Sequence, residues 1–167
     1  MLPIPRVLVY LALAVVLSLF HLLVVQYMSI GGVTPDLLLI LVVWIALSTG
    51  QLPGTIAGFL VGLLMDGITG DVLGTNALAK TLAGFVAGYF FNENKVLLTL
   101  GHYPALLITL LCAILHNIAY YFFHVRYVGM TMNVFFLKYG LAAALFTTVL
   151  AIVPMLITAR RRERVQY

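Results

Sequence analysis

The sequence predicts an all-α membrane protein with six transmembrane helices, forming a single polytopic domain over residues 1–167. Apolar residues make up 63% of the chain and charged residues only 8%, whereas roughly a quarter of the residues in soluble domains are charged. A helix needs about 20 apolar residues to cross about 30 Å of hydrocarbon. The chain offers about six such stretches and little else, which excludes a separate soluble catalytic domain.

Turn-forming residues separate the apolar stretches and set the predicted spans. The breaks lie at residues 31–35, 50–54 and 70–71 and contain glycine, proline and aspartate. Proline is tolerated near a helix start because its missing N–H would have no helical partner there. The second stretch is short for a full crossing. The predicted spans are residues 7–30, 36–49, 53–69, 75–91, 104–125 and 132–157.

The first span is interpreted as a retained helix. Its apolar core, residues 7–25, is longer than the 7–15 residues of a signal-peptide core, and no small-residue cleavage site follows it. The lone Cys112 lies inside the fifth span. It therefore forms no internal disulfide and indicates nothing about the redox compartment.

The distribution of charge predicts the orientation. Six spans put both termini on one side, and the densest basic cluster is the tail at residues 158–167. The positive-inside rule places this tail in the cytoplasm. Arg6 and Lys95 then also lie inside and Arg126 lies outside. Six basic residues outside the spans are therefore cytoplasmic and one is on the opposite side. The formal charge of +4 is explained by topology and by contact with lipid headgroups, without a nucleic-acid partner.

Glycines at every fourth residue mark the third span. This glycine ladder comprises Gly54, Gly58, Gly62 and Gly70, with Asp66 at the intervening step. The fourth span repeats the spacing at two positions, Gly84 and Gly88. Small residues at this spacing let helix backbones approach closely in lipid. Two interpretations are open: the third and fourth spans pack on each other or their neighbours, or the small-residue face receives a partner's helix.

Asp66 and Lys80 are the ionisable residues of this region. If a turn occupies residues 70–76, each lies about 6 Å below it at 1.5 Å per residue. An isolated charge costs about 2.5–3.5 kcal/mol at mid-bilayer, which pairing reduces. An intramembrane pair is therefore predicted. The alternatives are that Lys80 snorkels outward while Asp66 bonds a helix end, or that both belong to a proton or ion pathway.

The fifth span carries Cys112, His116, Tyr120 and His124 at four-residue steps. Cys and His at this spacing can share a metal ion, but a catalytic zinc needs a third protein ligand. No nearby carboxylate or His-Glu-x-x-His pattern supplies one. We therefore predict no metal site, and interpret His116 and Asn117 as donors to neighbouring helices. His21 and Gln26 of the first span receive the same interpretation.

Enzymatic motifs are not found. Residues 67–71 are similar to the Gly-x-Gly-Asp motif of intramembrane aspartyl proteases, but the spacing differs and a matching Asp on an adjacent span is missing. The chain contains no Gly-x-Ser-x-Gly elbow and no phosphate-binding loop. The sequence therefore predicts a protein that is not an enzyme and holds no cofactor.

Two motifs in the middle of the chain resemble the MreD family of rod shape-determining proteins. One is Gly-x-x-x-Gly-x-x-x-Asp at residues 58–66, and the other is Leu-Gly-x-Asn-Ala-Leu at residues 73–78. The detailed resemblance covers residues 33–92, and length, span count and basic tail agree over the whole chain. The matching positions are Pro35, Asp36, Gly58, Gly62, Asp66, Gly74, Asn76, Ala77, Lys80 and Gly84.

This resemblance implies a non-enzymatic scaffold of the bacterial cell-elongation machinery, located in the inner (cytoplasmic) membrane. MreD proteins partner the single-span protein MreC and work alongside MreB, RodA and a penicillin-binding transpeptidase. Together these proteins maintain rod shape and lateral peptidoglycan synthesis. The resemblance also implies the six-helix fold of the substrate-binding subunits of energy-coupling-factor transporters. The family has no active site to carry over, so the signature positions would be structural or partner-facing.

The shared fold suggests an alternative, a substrate-binding subunit for a vitamin or a metal. Such subunits usually carry an Ala-x-x-x-Ala docking face on the first helix. Here Ala12 and Ala14 are two residues apart, and Val16 replaces the second alanine. Our leading hypothesis is therefore that an MreC-type helix binds the small-residue face of spans three and four, kept rigid by Asp66 and Lys80.

Overall fold

The computed structural model describes the backbone of residues 4–23, 27, 29, 32–70, 72–128 and 139–165, and side chains within these ranges except at 4–6, 124–128 and 161–165. These residues form a helical protein. A short 3-10 turn, Glu93–Lys95, precedes the fifth helix. The helices are α1 (Ile4–Leu23), α2 (Leu37–Thr49), α3 (Gln51–Thr69), α4 (Thr75–Tyr89), α5 (Val96–Leu100), α6 (Tyr103–Val128), α7 (Leu141–Leu150) and α8 (Ile152–Val165).

Three apolar helical stretches are long enough to cross a membrane. They are Gln51–Thr69, Tyr103–Phe123 and Leu141–Arg160, the last of which joins α7 to α8. Two shorter apolar helices, Val7–Leu23 and Leu37–Thr49, accompany them. Large apolar side chains are exposed along these helices, for example on α1, α3 and α6. The chain is therefore a membrane protein, with lipid as the solvent of its exposed apolar surface.

Helix α2 lies at the centre of the bundle. It contacts α1, α3, α4, α6 and α7, and nine of its 13 residues are buried. Because α2 has neighbours around its circumference, its sequence is apolar on every side instead of amphipathic. Its length of 13 residues corresponds to about 20 Å. The second apolar stretch is short because it is an interior helix.

A single glycine turns the chain from α2 into α3. Gly50 has φ +102°, a left-handed conformation that side-chain-bearing residues rarely adopt. Its N–H donates to the Ala46 carbonyl at 2.9 Å. The end of α2 and the start of α3 therefore lie side by side. Helix α3 has 19 residues and is about 9 Å longer than α2. The N-terminus of α2 consequently lies inside the bundle, below the end of α3.

The glycine ladder packs against α4. A Cβ on Gly58 would overlap the backbone carbonyl of Lys80, and one on Gly62 would overlap the Cα of Ala77. From the opposite side, a Cβ on Gly84 would overlap the carbonyl of Gly54. Helices α3 and α4 thus lie backbone to backbone, as small residues permit in lipid. Of the two interpretations open from the sequence, mutual packing of these helices is the one observed.

Gly88 of α4 and Gly70 of the glycine ladder differ in their surroundings. Gly88 lies against the backbone of Gln51, at the start of α3. Gly70 ends α3 with φ +72°, and nothing lies within 4 Å of the position of its Cβ. Gly70 is therefore a helix cap and not a packing position.

Most predicted spans agree with helices of the structure to within a few residues. The 75–91 and 104–125 predictions correspond to α4 and α6. The predicted sixth span, 132–157, begins outside the described residues, continues as α7 and passes into α8 after Ala151. Helix α8 runs on to Val165, so the basic segment begins as part of a helix. The last part of the first predicted span, including Gln26, lies outside the described residues.

Candidate functional site

The buried charge centre of the protein is an ion pair between α4 and the start of α2. The Nζ of Lys80 lies 2.5 Å from Oδ2 of Asp36. It also donates to Oδ1 of Asn76, one turn earlier on α4, at 3.2 Å. Lys80 is 1% exposed, so this cation is taken fully out of solvent. A cation in this position is tolerated because a carboxylate and an amide oxygen accept hydrogen bonds from it.

This arrangement corrects the predicted pair of Asp66 with Lys80. Lys80 neither contacts the Asp66 carboxylate nor snorkels outward, because the recessed start of α2 brings Asp36 to the second turn of α4. From the sequence, Asp36 is a signature position at the start of the second predicted span, with no partner assigned to its carboxylate. The shortness of the second stretch is the signal that would have identified it, since a short interior helix places its first residue at membrane depth.

Asp66 serves the start of α4 instead. Its Oδ2 accepts from the backbone N–H groups of Gly74 at 2.9 Å and Ala77 at 3.1 Å, and its Oδ1 accepts from Asn76 N–H at 2.9 Å. These are N–H groups that a helix start leaves without helical partners. Gly74 is the N-cap of α4 and has no side chain to supply. The carboxylate of α3 therefore caps α4, as one alternative from the sequence anticipated for Asp66.

Asp36 has a second role as the N-cap of its own helix. Its Oδ1 accepts from Leu39 N–H at 2.9 Å, and such a cap is worth about 1 kcal/mol. The Asp36 N–H donates to Oγ1 of Thr147 on α7 at 2.9 Å. One residue thus connects α2, α4 and α7 through hydrogen bonds, which fixes the height of α2 relative to its neighbours.

Two histidines face the ion pair. The Nε2 of His116 lies 3.4 Å from Oδ2 of Asp36, and the ring of His116 stacks on Tyr120 with centroids 6.1 Å apart. The Nδ1 atoms of His116 and His21 are both buried, and neither has a hydrogen-bond partner among the described residues. The contact of His116 Nε2 with Asp36 at the start of α2 agrees with the predicted interaction of His116 with a neighbouring helix. For His21, the buried Nδ1 makes no predicted bond to a described residue.

Asn117 follows the prediction. Its Nδ2 donates to the carbonyl of Gly140 at 2.7 Å. This bond joins α6 to the residue that precedes α7.

These side chains surround a polar cavity of about 300 Å³. It lies above the recessed start of α2, between α1, α2, α3, α4, α6 and α7. Its walls carry charged, imidazole, amide and hydroxyl groups, whereas the exterior of the bundle is apolar. The polar residues that line it include His21, Asp36, Asn76, Lys80, His116 and Thr147. This polar cavity is the candidate functional site.

The other predicted site residues do not join the cavity as one set. Cys112 is fully buried in an apolar core cluster with residues of α2 and α4, so the Cys112–His116 stripe is split between core and cavity. The side chains of His124 and Arg126 lie outside the described part of the chain. Within that part, no group of three or more His, Cys, Asp or Glu residues is placed to hold a metal ion.

The signature positions converge, although they come from three helices. Pro35 is fully buried before α2, and Asp36 bonds Lys80. Asp66 bonds the backbone at Gly74, Asn76 and Ala77. The matched glycines of α3 and α4 lie in the same interface. Comparisons of the chain with protein-family models, with curated proteins and with solved structures found no match.

Proposed function

We propose that this protein is a non-enzymatic scaffold of the bacterial cell-elongation machinery, as its resemblance to the MreD family implies. The observation that carries the proposal is the convergence of the signature residues. Asp36, Lys80 and Asn76 form one hydrogen-bonded group, and Asp66 caps the helix that bears two of them. Residues that match a family pattern over 44 positions of sequence thus act as one structural unit, which is what a shared core requires.

The proposal includes six spans in the cytoplasmic membrane, both termini in the cytoplasm, and the fold of energy-coupling-factor substrate-binding subunits. The helical bundle and its apolar exterior are compatible with this arrangement. The excess of Lys and Arg in the tail supports the orientation.

The proposed partners are an MreC-type single-span protein and, in a larger complex, MreB, RodA and a penicillin-binding transpeptidase. The partner's helix does not lie on the glycine ladder, because α4 covers Gly58 and Gly62. It has to lie on an exposed apolar face, and α1 and α3 offer such side chains at Leu11, Phe59 and Leu60. This revises the interface hypothesis drawn from the sequence.

The test is copurification of the full chain with the MreC-type protein encoded in the same genome, together with depletion of the chain in its host. We expect a stable complex and a change from rods to rounded cells. A folded protein that captures no such partner, in cells whose shape survives depletion, would refute the scaffold.

A second candidate is the substrate-binding subunit of a vitamin or metal transporter, favoured by the polar cavity. Such a subunit needs an energy-coupling partner. Uptake of a substrate that depends on both this chain and an ATP-hydrolysing module would support it, and cell shape would then be unaffected by depletion.

A further inference from the structure

The polar cavity contains hydrogen-bonding groups that the described protein does not satisfy. His116 is 4% exposed and lines the cavity, yet its Nδ1 has no partner among the described residues. The Nδ1 of His21, on another wall, is in the same state. A buried polar atom without a hydrogen-bond partner destabilises the folded state. The two residues that carry these atoms both line the same cavity.

The ion pair beside them retains bonding capacity. Of the three N–H bonds of the Lys80 ammonium, two are directed to Asp36 and Asn76. A carboxylate offers about four lone-pair sites, whereas Asp36 accepts from Leu39 N–H and Lys80 and has the Nε2 of His116 at 3.4 Å. The Asp36 side chain keeps 20% exposure. Lys80 is thus a hydrogen-bond donor and Asp36 a hydrogen-bond acceptor on the same wall of the polar cavity.

The charges of the cavity indicate the charge of its occupant. Asp36 and Lys80 cancel, and with neutral imidazoles the four ionisable groups sum to zero. An occupant with net charge would enter a region of low dielectric without a counter-ion, at high cost. The volume of about 300 Å³ lies at the lower end of the range for small-molecule pockets.

We propose that the polar cavity binds a small organic solute with no net charge that carries both hydrogen-bond donors and acceptors. Asp36 and Lys80 bind its donors and acceptors, and the Nδ1 atoms of His116 and His21 complete its hydrogen bonds. This site goes beyond the scaffold role and does not depend on it, because binding is measured on the isolated chain. A scaffold with this site would respond to a metabolite.

The experiment uses the purified full chain in detergent and two measurements. Native mass spectrometry detects a small organic molecule that copurifies. Thermal unfolding is followed with L-serine, L-glutamine and uridine as probes without net charge, and with citrate and choline as charged probes. We expect at least one of the first three to raise the unfolding midpoint by about 5–10 °C at saturation. Citrate and choline should leave it unchanged.

Variants locate the site. His116→Phe removes an unpartnered nitrogen, and Ala143→Leu fills the cavity from a wall residue outside the ion pair. Both should abolish the ligand-induced shift, and Ala143→Leu keeps the test valid if His116→Phe does not fold. His102→Phe changes an exposed histidine and should retain the shift. The proposal is overturned if no probe shifts unfolding and no organic mass copurifies, if only a charged probe acts, or if the folded cavity variants bind like wild type.

Discussion

Asp36 and Lys80 lie 44 residues apart in the sequence, and their side chains form a buried salt bridge with Nζ and Oδ2 at 2.5 Å. Bringing two charges out of water costs several kcal/mol for each, and mutual attraction offsets this only with further hydrogen bonds. Asn76 and Leu39 N–H supply such bonds here. Removing one partner therefore leaves a buried charge with no compensation.

The first prediction concerns this pair. Lys80→Met should destabilise the protein by about 3–5 kcal/mol because it isolates the Asp36 carboxylate. Asp36→Ser keeps a hydroxyl that can cap α2 but removes the charge, and should cost a similar amount. The double variant should cost much less than the sum, by at least about 1 kcal/mol. Denaturant or thermal unfolding in detergent measures all four proteins.

A charge swap distinguishes the observed pair from the one predicted by the sequence. Asp66→Lys with Lys80→Asp should not recover folding, since Asp66 is bonded to backbone N–H groups and not to Lys80. Full additivity of the Asp36 and Lys80 variants, with recovery by the Asp66 swap, would contradict the ion pair described above.

The second prediction concerns the cap of α4. Asp66→Asn replaces one of two oxygens that together accept three backbone N–H groups with an NH₂ that can only donate. We expect a loss of about 2–4 kcal/mol, because charged hydrogen bonds are lost and a buried donor is left unpaired. Asp66→Glu should not restore stability, since the longer side chain changes the position of the carboxylate. Unfolding midpoints near that of wild type would show that Asp66 is not the cap.

The third prediction concerns the glycine ladder. Gly58→Ala and Gly62→Ala place a methyl group into the α4 backbone at Lys80 and Ala77, and backbone atoms cannot move aside without separating the helices. Each should reduce the yield of monodisperse protein strongly. Gly67→Ala is the matched control on α3, because nothing lies within 4 Å of its Cβ position.

We expect Gly67→Ala to be neutral or to stabilise the protein by up to about 1 kcal/mol, since alanine is the better helix former. Size-exclusion chromatography and thermal unfolding compare the three variants. If Gly58→Ala and Gly67→Ala behaved alike, close packing of α3 on α4 would be refuted.

The fourth prediction concerns orientation. In a Cys112→Ala background, Asn94→Cys lies in the exposed 3-10 turn and Leu73→Cys lies in the turn before α4, where Leu73 is 73% exposed. With a cytoplasmic tail, an impermeant maleimide added to spheroplasts should label Leu73→Cys and not Asn94→Cys. Inside-out vesicles should give the opposite pattern, and the reverse result would invert the proposed topology.

Several elements were predictable because their signals are local. The apolar composition, the glycine ladder and the helix ends at Gly50 and Gly70 all act within a few residues of sequence. These features account for the membrane class, for helices α3 and α4, and for the close packing between them. The ladder did not indicate which helix covers it, since lipid offers no directional preference and any small-residue face is suitable.

The candidate site was predicted only in part. His21, His116 and Lys80 were recognised as polar residues of apolar stretches, but their meeting with Asp36 was not. The distance between such groups depends on how far each helix reaches into the bundle. That reach follows from the packing of α2 on all sides, of which the sequence shows only a short, uniformly apolar stretch.

The sequence alone determined that this chain is a membrane protein, that it is helical, and that its third helix can pack closely against another helix. Only the tertiary structure decided that Asp36 neutralises Lys80, that Asp66 caps α4, and that a polar cavity remains above α2. The physical reason is that hydrophobicity and backbone conformation are properties of neighbouring residues. Charge pairing in a low-dielectric interior depends on a few ångströms between residues far apart in the chain.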